Sequence, residues 1–428
     1  MTTTLQQSLN AATEIIMVKL SLTKTARYFT IIEVGAERVQ KAPEEEVWIV
    51  ARVGSWPHSS YGTRLQLWTA CSAADWQSLY SRDARNTSCI GQVGCTRRNC
   101  STAIAFGAGI HVAHNVGFLA KDRRILGIGG MFRNQTTWRG QRAVGAVPGA
   151  FAFDASSLPH LQHLAKTEGT LSSSSPVAVR GDHPGCSERR RSFVAAGGCE
   201  FDGRFSIAAT ADGTLLVYAR ANLHAERGSR HVQVATGPSL TALGPFRLIE
   251  IEDEPPLSDE HPPLRQLYFA AVKANPADGG RSLIGLFPVS LNASSTHRGD
   301  SFIGLGLSCD GVHFSKLLRA ADSDLSDDGD RSLDQPVDGF VQRGGLVHFF
   351  VHRDVPGIAP RPDSRRAGTR QSRLVRKTIT MASLRSYTSE VVKRSRWCQA
   401  RGGGLDLGSG ASSFRPRIPR HQPHPSRP

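Results

Sequence analysis

The chain has 428 residues and a formal net charge of +15, with 39% hydrophobic and 7% aromatic residues. Its length leaves room for two or three ordinary domains or one large all-β domain. Sixteen Lys/Arg against three acids (Asp363, Glu390, Asp406) fall between Arg361 and Pro428, so the charge belongs to a Pro/Gly/Ser-rich tail and the near-neutral body is not expected to bind nucleic acid. No apolar run is long enough to span a bilayer as a helix.

Residues 1–25 read as an irregular or weakly helical leader. Short β-like runs, rich in Val, Ile, Leu, Phe and Thr, then recur to about residue 380. The first half of the chain carries them at 28–35, 46–53, 64–71, 109–120, 124–132, 204–210 and 214–221. The second half has them at 230–236, 245–251, 267–274, 282–290, 301–308, 313–320, 337–343, 346–353 and 372–379. Their spacing, with turn residues between, marks a sandwich, barrel or propeller. No helix-period segment of useful length separates them, which argues against a parallel α/β fold.

Several runs form hairpins of one kind. Asp212-Gly213 joins 204–210 to 214–221, Asp310-Gly311 follows 301–308, and Gly344-Gly345 joins 337–343 to 346–353. Such pairs favour the left-handed backbone of tight hairpins. Repetition of this unit predicts stacked four-stranded sheets arranged as blades, with a two-sheet sandwich pair as the alternative. The stretches 164–191, 252–263 and 321–334 are Ser/Gly/Pro-rich or acidic and read as loops. The expected organisation is a leader over 1–25, a single all-β, five-bladed β-propeller over 26–384, and a disordered basic tail over 385–428.

Of eight cysteines, Cys89, Cys95 and Cys100 crowd one stretch, and Cys186 and Cys199 bracket another. No CxxC pair occurs and no histidine is spaced to complete a zinc site, so disulfides in these two loops are expected. Four of the eight asparagines (Asn86, Asn99, Asn134, Asn292) stand in N-x-S/T sequons. Cysteines and sequons lean towards a glycoprotein of the secretory route, while the first residues lack an apolar signal core.

The hairpin SCDGVHFS (308–315), the strand entry CEFDGR (199–204), YARANL (218–223), RHVQVAT (230–236), the turn TGPSLTALGPF (236–246), LYFAAVKANP (267–276) and PVDGFV (336–341) occur in blade-length order. Together they resemble the five-bladed propeller superfamily of arabinanase-, invertase- and levansucrase-type glycoside hydrolases, in a divergent branch. The resemblance spans roughly 100–380 and is strongest from Cys199 to Gly357. It implies cleavage or transfer at a glycosidic bond in the axial funnel, a carbohydrate partner, a monomer, and no cofactor beyond room for a structural calcium ion at the axis.

The residues themselves lead to the same funnel. Polar side chains interrupt otherwise apolar strands at His114, Asn115, Arg204, Arg220, Asn222, His231, Gln233, His352, Arg353 and Asp354, and these are the candidate sugar-binding groups. Glycoside chemistry needs two carboxyls, one protonated and one ionised. Asp202 and Asp338, each followed by Gly, are the first candidates, with Glu200 and Asp354 in reserve. Arg204 or Arg220 would hold one of them ionised. Asp310 is expected to be structural. The chain departs from the three-acid pattern of the family, since AHNVGF and LYFAAV carry no acid and Asn115 stands where an aspartate is expected. A non-catalytic glycan- or protein-binding propeller is therefore the alternative.

Overall fold

A computed structural model describes residues 4–12, 15–19, 26–34, 46–53, 64–70, 110–121, 124–133, 149–155, 177–180, 204–223, 229–254, 265–291, 301–326, 332–355, 358 and 372–399. A helix, α1 (Thr4–Ala11), and a strand, β1 (Ile15–Lys19), come first. The first sheet is an antiparallel meander of β2 (Ala26–Val34), β3 (Glu46–Val53) and β4 (Arg64–Ala70). The second is β5 (Ile110–Lys121), β6 (Arg124–Arg133), β7 (Gly149–Ala155) and β8 (Val177–Arg180). The third is β9 (Ser206–Ala209), β10 (Leu215–Leu223), β11 (Ser229–Gly237) and β12 (Arg247–Leu248).

The fourth sheet has seven strands: β13 (Glu250–Ile251), β14 (Arg265–Leu267), β15 (Ala271–Ala274), β16 (Leu283–Leu291), β17 (Ser301–Ser308), β18 (His313–Phe314) and β19 (Leu318–Ser323). It is a four-stranded unit whose outer strands are each broken in two, with β13 added in parallel beside β18. β14 and β15 both pair with β16, and β18 and β19 both pair with β17. The last sheet holds β20 (Gln335–Pro336), β21 (Val341–Arg343), β22 (Leu346–Arg353) and β23 (Arg373–Thr380). β1 adds to its edge, with Ile15 opposite Arg376. Two helices follow, α2 (Met381–Arg394) and α3 (Arg396–Gln399).

Among the described residues the strands thus form five sheets, the mostly-β, propeller-like arrangement that the hairpin repeat predicts. The hairpin turns use their glycines as expected: Gly213 and Gly311 have φ of 88° and 83°. A side chain at Gly311 would also strike Leu216 at 2.1 Å, so that turn is closed to larger residues.

The core lies between consecutive sheets. Ile128, Phe205, Ile207 and Val217 pack between the second and third. Tyr218, Val232, Val234, Val272, Phe287 and Phe314 pack between the third and fourth. Ile284, Ile303, Leu305, Phe349, Val351 and Val375 pack between the fourth and last. Alternation along each strand supplies both faces, because a strand inside such a stack is covered on each side.

Two sequence expectations are corrected at the ends. The leader is part of the fold: Leu5 and Leu9, one helical turn apart, are buried in the last core cluster, and β1 completes a sheet. The tail does not begin at 385, because α2 runs on to Arg394. Thr380 caps it by accepting from the Ser383 N–H, and Leu384, Tyr387, Thr388 and Val392 form its buried stripe. α3 is tied back by the Cys309–Cys398 disulfide, and residues 400–428 lie outside the described residues. The Ser-rich stretch 164–191 contains β8. The four sequons, and the cysteines expected to pair in loops, lie outside the described residues.

Leu5→Ala should lower unfolding free energy by about 2–5 kcal/mol, because a buried leucine leaves a cavity that the surrounding strands only partly close. Urea denaturation checks this; an unchanged midpoint would mean that α1 is not docked.

Candidate functional site

Four sheets contribute to one buried polar cluster. β9 is the first strand of the third sheet and β15 lies beside it. The backbone of β5 approaches so closely that a Cβ at Gly117 would lie 2.9 Å from the Phe205 carbonyl. Into this junction β15 sends Lys273. Its ammonium donates to the carbonyls of Phe118 (2.9 Å) and Ile207 (2.6 Å) and to Asp338 Oδ2 (2.9 Å). Asp338 follows β20 and is fully buried. Its other oxygen accepts from Ser206 Oγ at 2.8 Å, and Ser206 in turn accepts from the Val272 N–H at 2.9 Å. Arg204, also buried, donates to the Pro336 carbonyl at 3.1 Å.

The electrostatics are those of a desolvated ion pair. Burial pulls the Lys273 pKa below its usual value; the charge and hydrogen bond of Asp338 oppose this, and nearby Arg204 adds to the depression. Two carbonyls and a carboxylate converging from three sheets form an oxygen cage suited to a cation, and the lysine ammonium occupies it. The arrangement can hold one negative charge rigidly at the junction, with both carboxylate oxygens engaged.

The structure places the predicted residues in several settings. Arg204 and Asp338 come together with Ser206 and Lys273, which the sequence did not single out as site residues. Lys273 is the one charged residue in the run LYFAAVKA, and that interruption of an apolar strand was the available signal. Asp202 and Glu200 lie outside the described residues. His114 and Asn115 are in β5, at the register shift between Val112 and Val116, and Asn222 is in β10 opposite Arg230.

Arg220 and Arg230 both lie over the Tyr268 ring, at 5.3 and 5.4 Å, and Gln233 Nε2 donates to the Arg220 carbonyl. His231 sits on β11, the third strand of its sheet, with Nε2 2.9 Å from the Ile249 carbonyl. On β22, His352 bonds Ser372 at 2.7 Å and Arg353 pairs with buried Asp334 at 2.5 Å. Asp354 has φ of 52°, and its N–H donates to Asp334 Oδ1 at 3.0 Å. Asp310 is a turn aspartate that accepts from the Val312 and His313 N–H groups.

No family model matches the chain, and no curated protein matches it. Solved structures do. An N-acetylgalactosamine deacetylase from F. plautii, in complex with blood group B trisaccharide, is similar with a TM-score of 0.51 at 8% identity, over 88% of this chain and 97% of that one. A family 117 glycoside hydrolase from Zobellia galactanivorans aligns at a TM-score of 0.40 and 9% identity, over 86% and 90% of the two chains. The GH43_1 enzyme of Xanthomonas citri, complexed with xylose, aligns at 0.41 and 10%, over 87% and 92%. The first likeness is one of fold, at an identity too low to carry an activity. Among the described residues, no helix is long and apolar enough to cross a membrane.

Lys273→Met should cost about 3–5 kcal/mol, because it leaves Asp338 buried without its counter-ion. Adding Asp338→Leu should return part of that loss, and denaturant titration of the single and double variants reads both. Burial also lowers the His231 pKa from 6.5 to about 4. The unfolded chain therefore binds the proton first as pH falls from 6.5 towards 4, and stability should drop across that window by up to about 3 kcal/mol. His231→Gln should flatten this slope in stability measured against pH.

Proposed function

We propose that this chain is a glycan-active protein built on a five-bladed propeller, hydrolysing a glycosidic bond with Asp338 and Asp202 as its paired carboxyls. One observation carries the reading: a buried carboxylate, ion-paired to Lys273, stands where strands of four sheets converge. Asp338 serves as the ionised member, fixed by Lys273 and Ser206. Asp202, two residues ahead of Arg204 in sequence, serves as the proton donor, with Glu200 in reserve. The five sheets of the described residues support five blades, with β1 closing the last. In this reading the Lys273 ammonium fills the oxygen cage at the junction of the sheets. Arg204, Arg220, Asn222, Gln233, His114 and Asn115 contribute sugar contacts around the funnel. The Cys309–Cys398 bond and the sequons support an oxidising, secretory setting.

A second reading, a non-catalytic glycan-binding propeller, is favoured by the full burial of Asp338 and the engagement of both its oxygens. Hydrolysis of a panel of oligosaccharides by wild type, Asp202→Asn and Asp338→Asn separates the two. The enzyme reading expects wild-type turnover and a loss of about 100-fold or more in Asp202→Asn. Wild-type binding without turnover supports the second reading, and equal turnover in all three proteins removes both aspartates from the mechanism.

A further inference from the structure

The two C-terminal helices meet at Ser395, whose backbone is extended, with φ of −74° and ψ of 118°. They are held to the body very differently. α2 buries Leu384, Tyr387, Thr388 and Val392, and its hydroxyls reach other elements. Tyr387 meets Ser315 at 2.8 Å, and Thr388 accepts from Asn275 Nδ2 at 2.9 Å. α3 has four residues, too few to stay helical on its own. Its hydrogen bonds run back to Ser395 and Lys393. Among the described residues, neither Ser395 nor α3 makes a hydrogen bond or ion pair with any element other than α2.

Apart from the packing of the buried Cys398, two attachments to the fourth sheet remain. One is the Cys309–Cys398 disulfide. The other is the Trp397 ring, stacked on His313 with centroids 3.7 Å apart and planes 11° from parallel. Both anchors belong to a single turn. Asp310 accepts from the Val312 and His313 N–H groups and meets His313 Nδ1 at 2.5 Å, which keeps Cys309 and His313 in fixed relation.

This weakly attached segment closes something. A cleft of about 470 Å³ is lined by residues 248–254, His313 and Phe314 on one side and by Arg394, Arg396 and Trp397 on the other. α3 is therefore one wall of the cleft, joined to α2 through a single extended residue. Fixing the backbone of residues 395–399 costs more than one ring stack and one buried thiol return. The covalent bond decides whether the wall stays in place.

We propose that residues 395–399 are a redox-latched strap: the Cys309–Cys398 bond holds this wall of the cleft closed, and a dithiol reductant opens it by letting α3 swing away about Ser395. A thiolate of the reductant attacks the sulfur of Cys309, the more exposed residue of the pair. The S–S bond breaks, and Cys398 leaves as a thiolate that takes up a proton. The second thiol of the reductant then displaces Cys309 from the mixed disulfide. Two electrons and two protons pass to the protein, and the reductant ends as a disulfide. α2 stays docked, while His313 loses its stacking partner.

Tryptic cleavage after Arg394 and Arg396, read by mass spectrometry on the full chain, tests this, with amide exchange over 384–392 followed alongside. Both bonds should be cut about tenfold faster or more in dithiol-treated wild type and in untreated Cys309→Ser/Cys398→Ser, with exchange over 384–392 unchanged. The double variant separates this bond from any other disulfide. Carbethoxylation of His313 should rise in the same two samples. Oxidised Trp397→Ala should be cut after Arg394 at near the wild-type rate, because the bond and not the stack is the latch. Equal cleavage of oxidised wild type and the double variant overturns the proposal, as does exchange in α2 that rises together with cleavage. A double variant that does not fold also overturns it, since the bond would then belong to the scaffold. Fast cleavage of oxidised Trp397→Ala would assign the latch to the ring stack instead.

Discussion

One ammonium group links four of the five sheets among the described residues. Lys273 joins the backbone of β5, the backbone of β9 and the carboxylate after β20, so a single nitrogen connects three sheets while projecting from a fourth. Sheets packed face to face have no hydrogen bonds between them, and side-chain packing alone leaves their angular spacing loosely fixed. A buried ion pair with its remaining acceptors satisfied is poor evidence for net stability, but it penalises strongly any arrangement in which one partner is displaced. Its value here lies in specifying geometry. Ser206 extends the same logic, since its oxygen meets both the Val272 amide and Asp338.

Around that cluster the apolar interfaces follow the chain. Each cluster is filled by two sheets that are neighbours in sequence, and the last also takes in α1 and α2. The helices cover residues that would otherwise expose the Phe349 and Ile379 strands. Ser315 and Tyr387 meet at 2.8 Å beneath the same helix, which pins α2 to the fourth sheet as well as to the last. Burial raises the Tyr387 hydroxyl well above its usual range and keeps it a neutral hydrogen-bonding group. The C-terminal helices therefore connect two sheets and one wall of the cleft.

Strand alternation and turn chemistry make most of the architecture readable in the sequence. The runs 46–53, 301–308 and 346–353 coincide with β3, β17 and β22. The misses have separate physical causes. β1 is five residues long and gains its identity only from a partner far along the chain, so its local pattern is weak. α2 was hidden because Arg385, Lys393 and Arg394 resemble the composition of a solvated tail, although Leu384, Tyr387 and Val392 keep helical spacing. Asp338 was legible from its Asp-Gly entry, whereas Lys273 showed only as a charge interrupting an apolar strand, with no sign of which carbonyls it would meet. The cleft was the least legible, since its walls join residues near 231, 250, 313 and 397, and only folding brings them together.

The pairing of β1 with β23 has a consequence for how such a chain is made. Synthesis delivers residue 15 long before residue 376, its partner, so this edge of the sheet stays open until the intervening chain has been made. During that interval five residues of apolar strand, IIMVK, wait with unpaired amides and carbonyls, as does the growing edge they are meant to join. Non-local pairing of this kind slows folding and prolongs exposure to other chains. The pairing of β1 with β23 therefore leaves that edge open to misassembly for as long as its partner is missing.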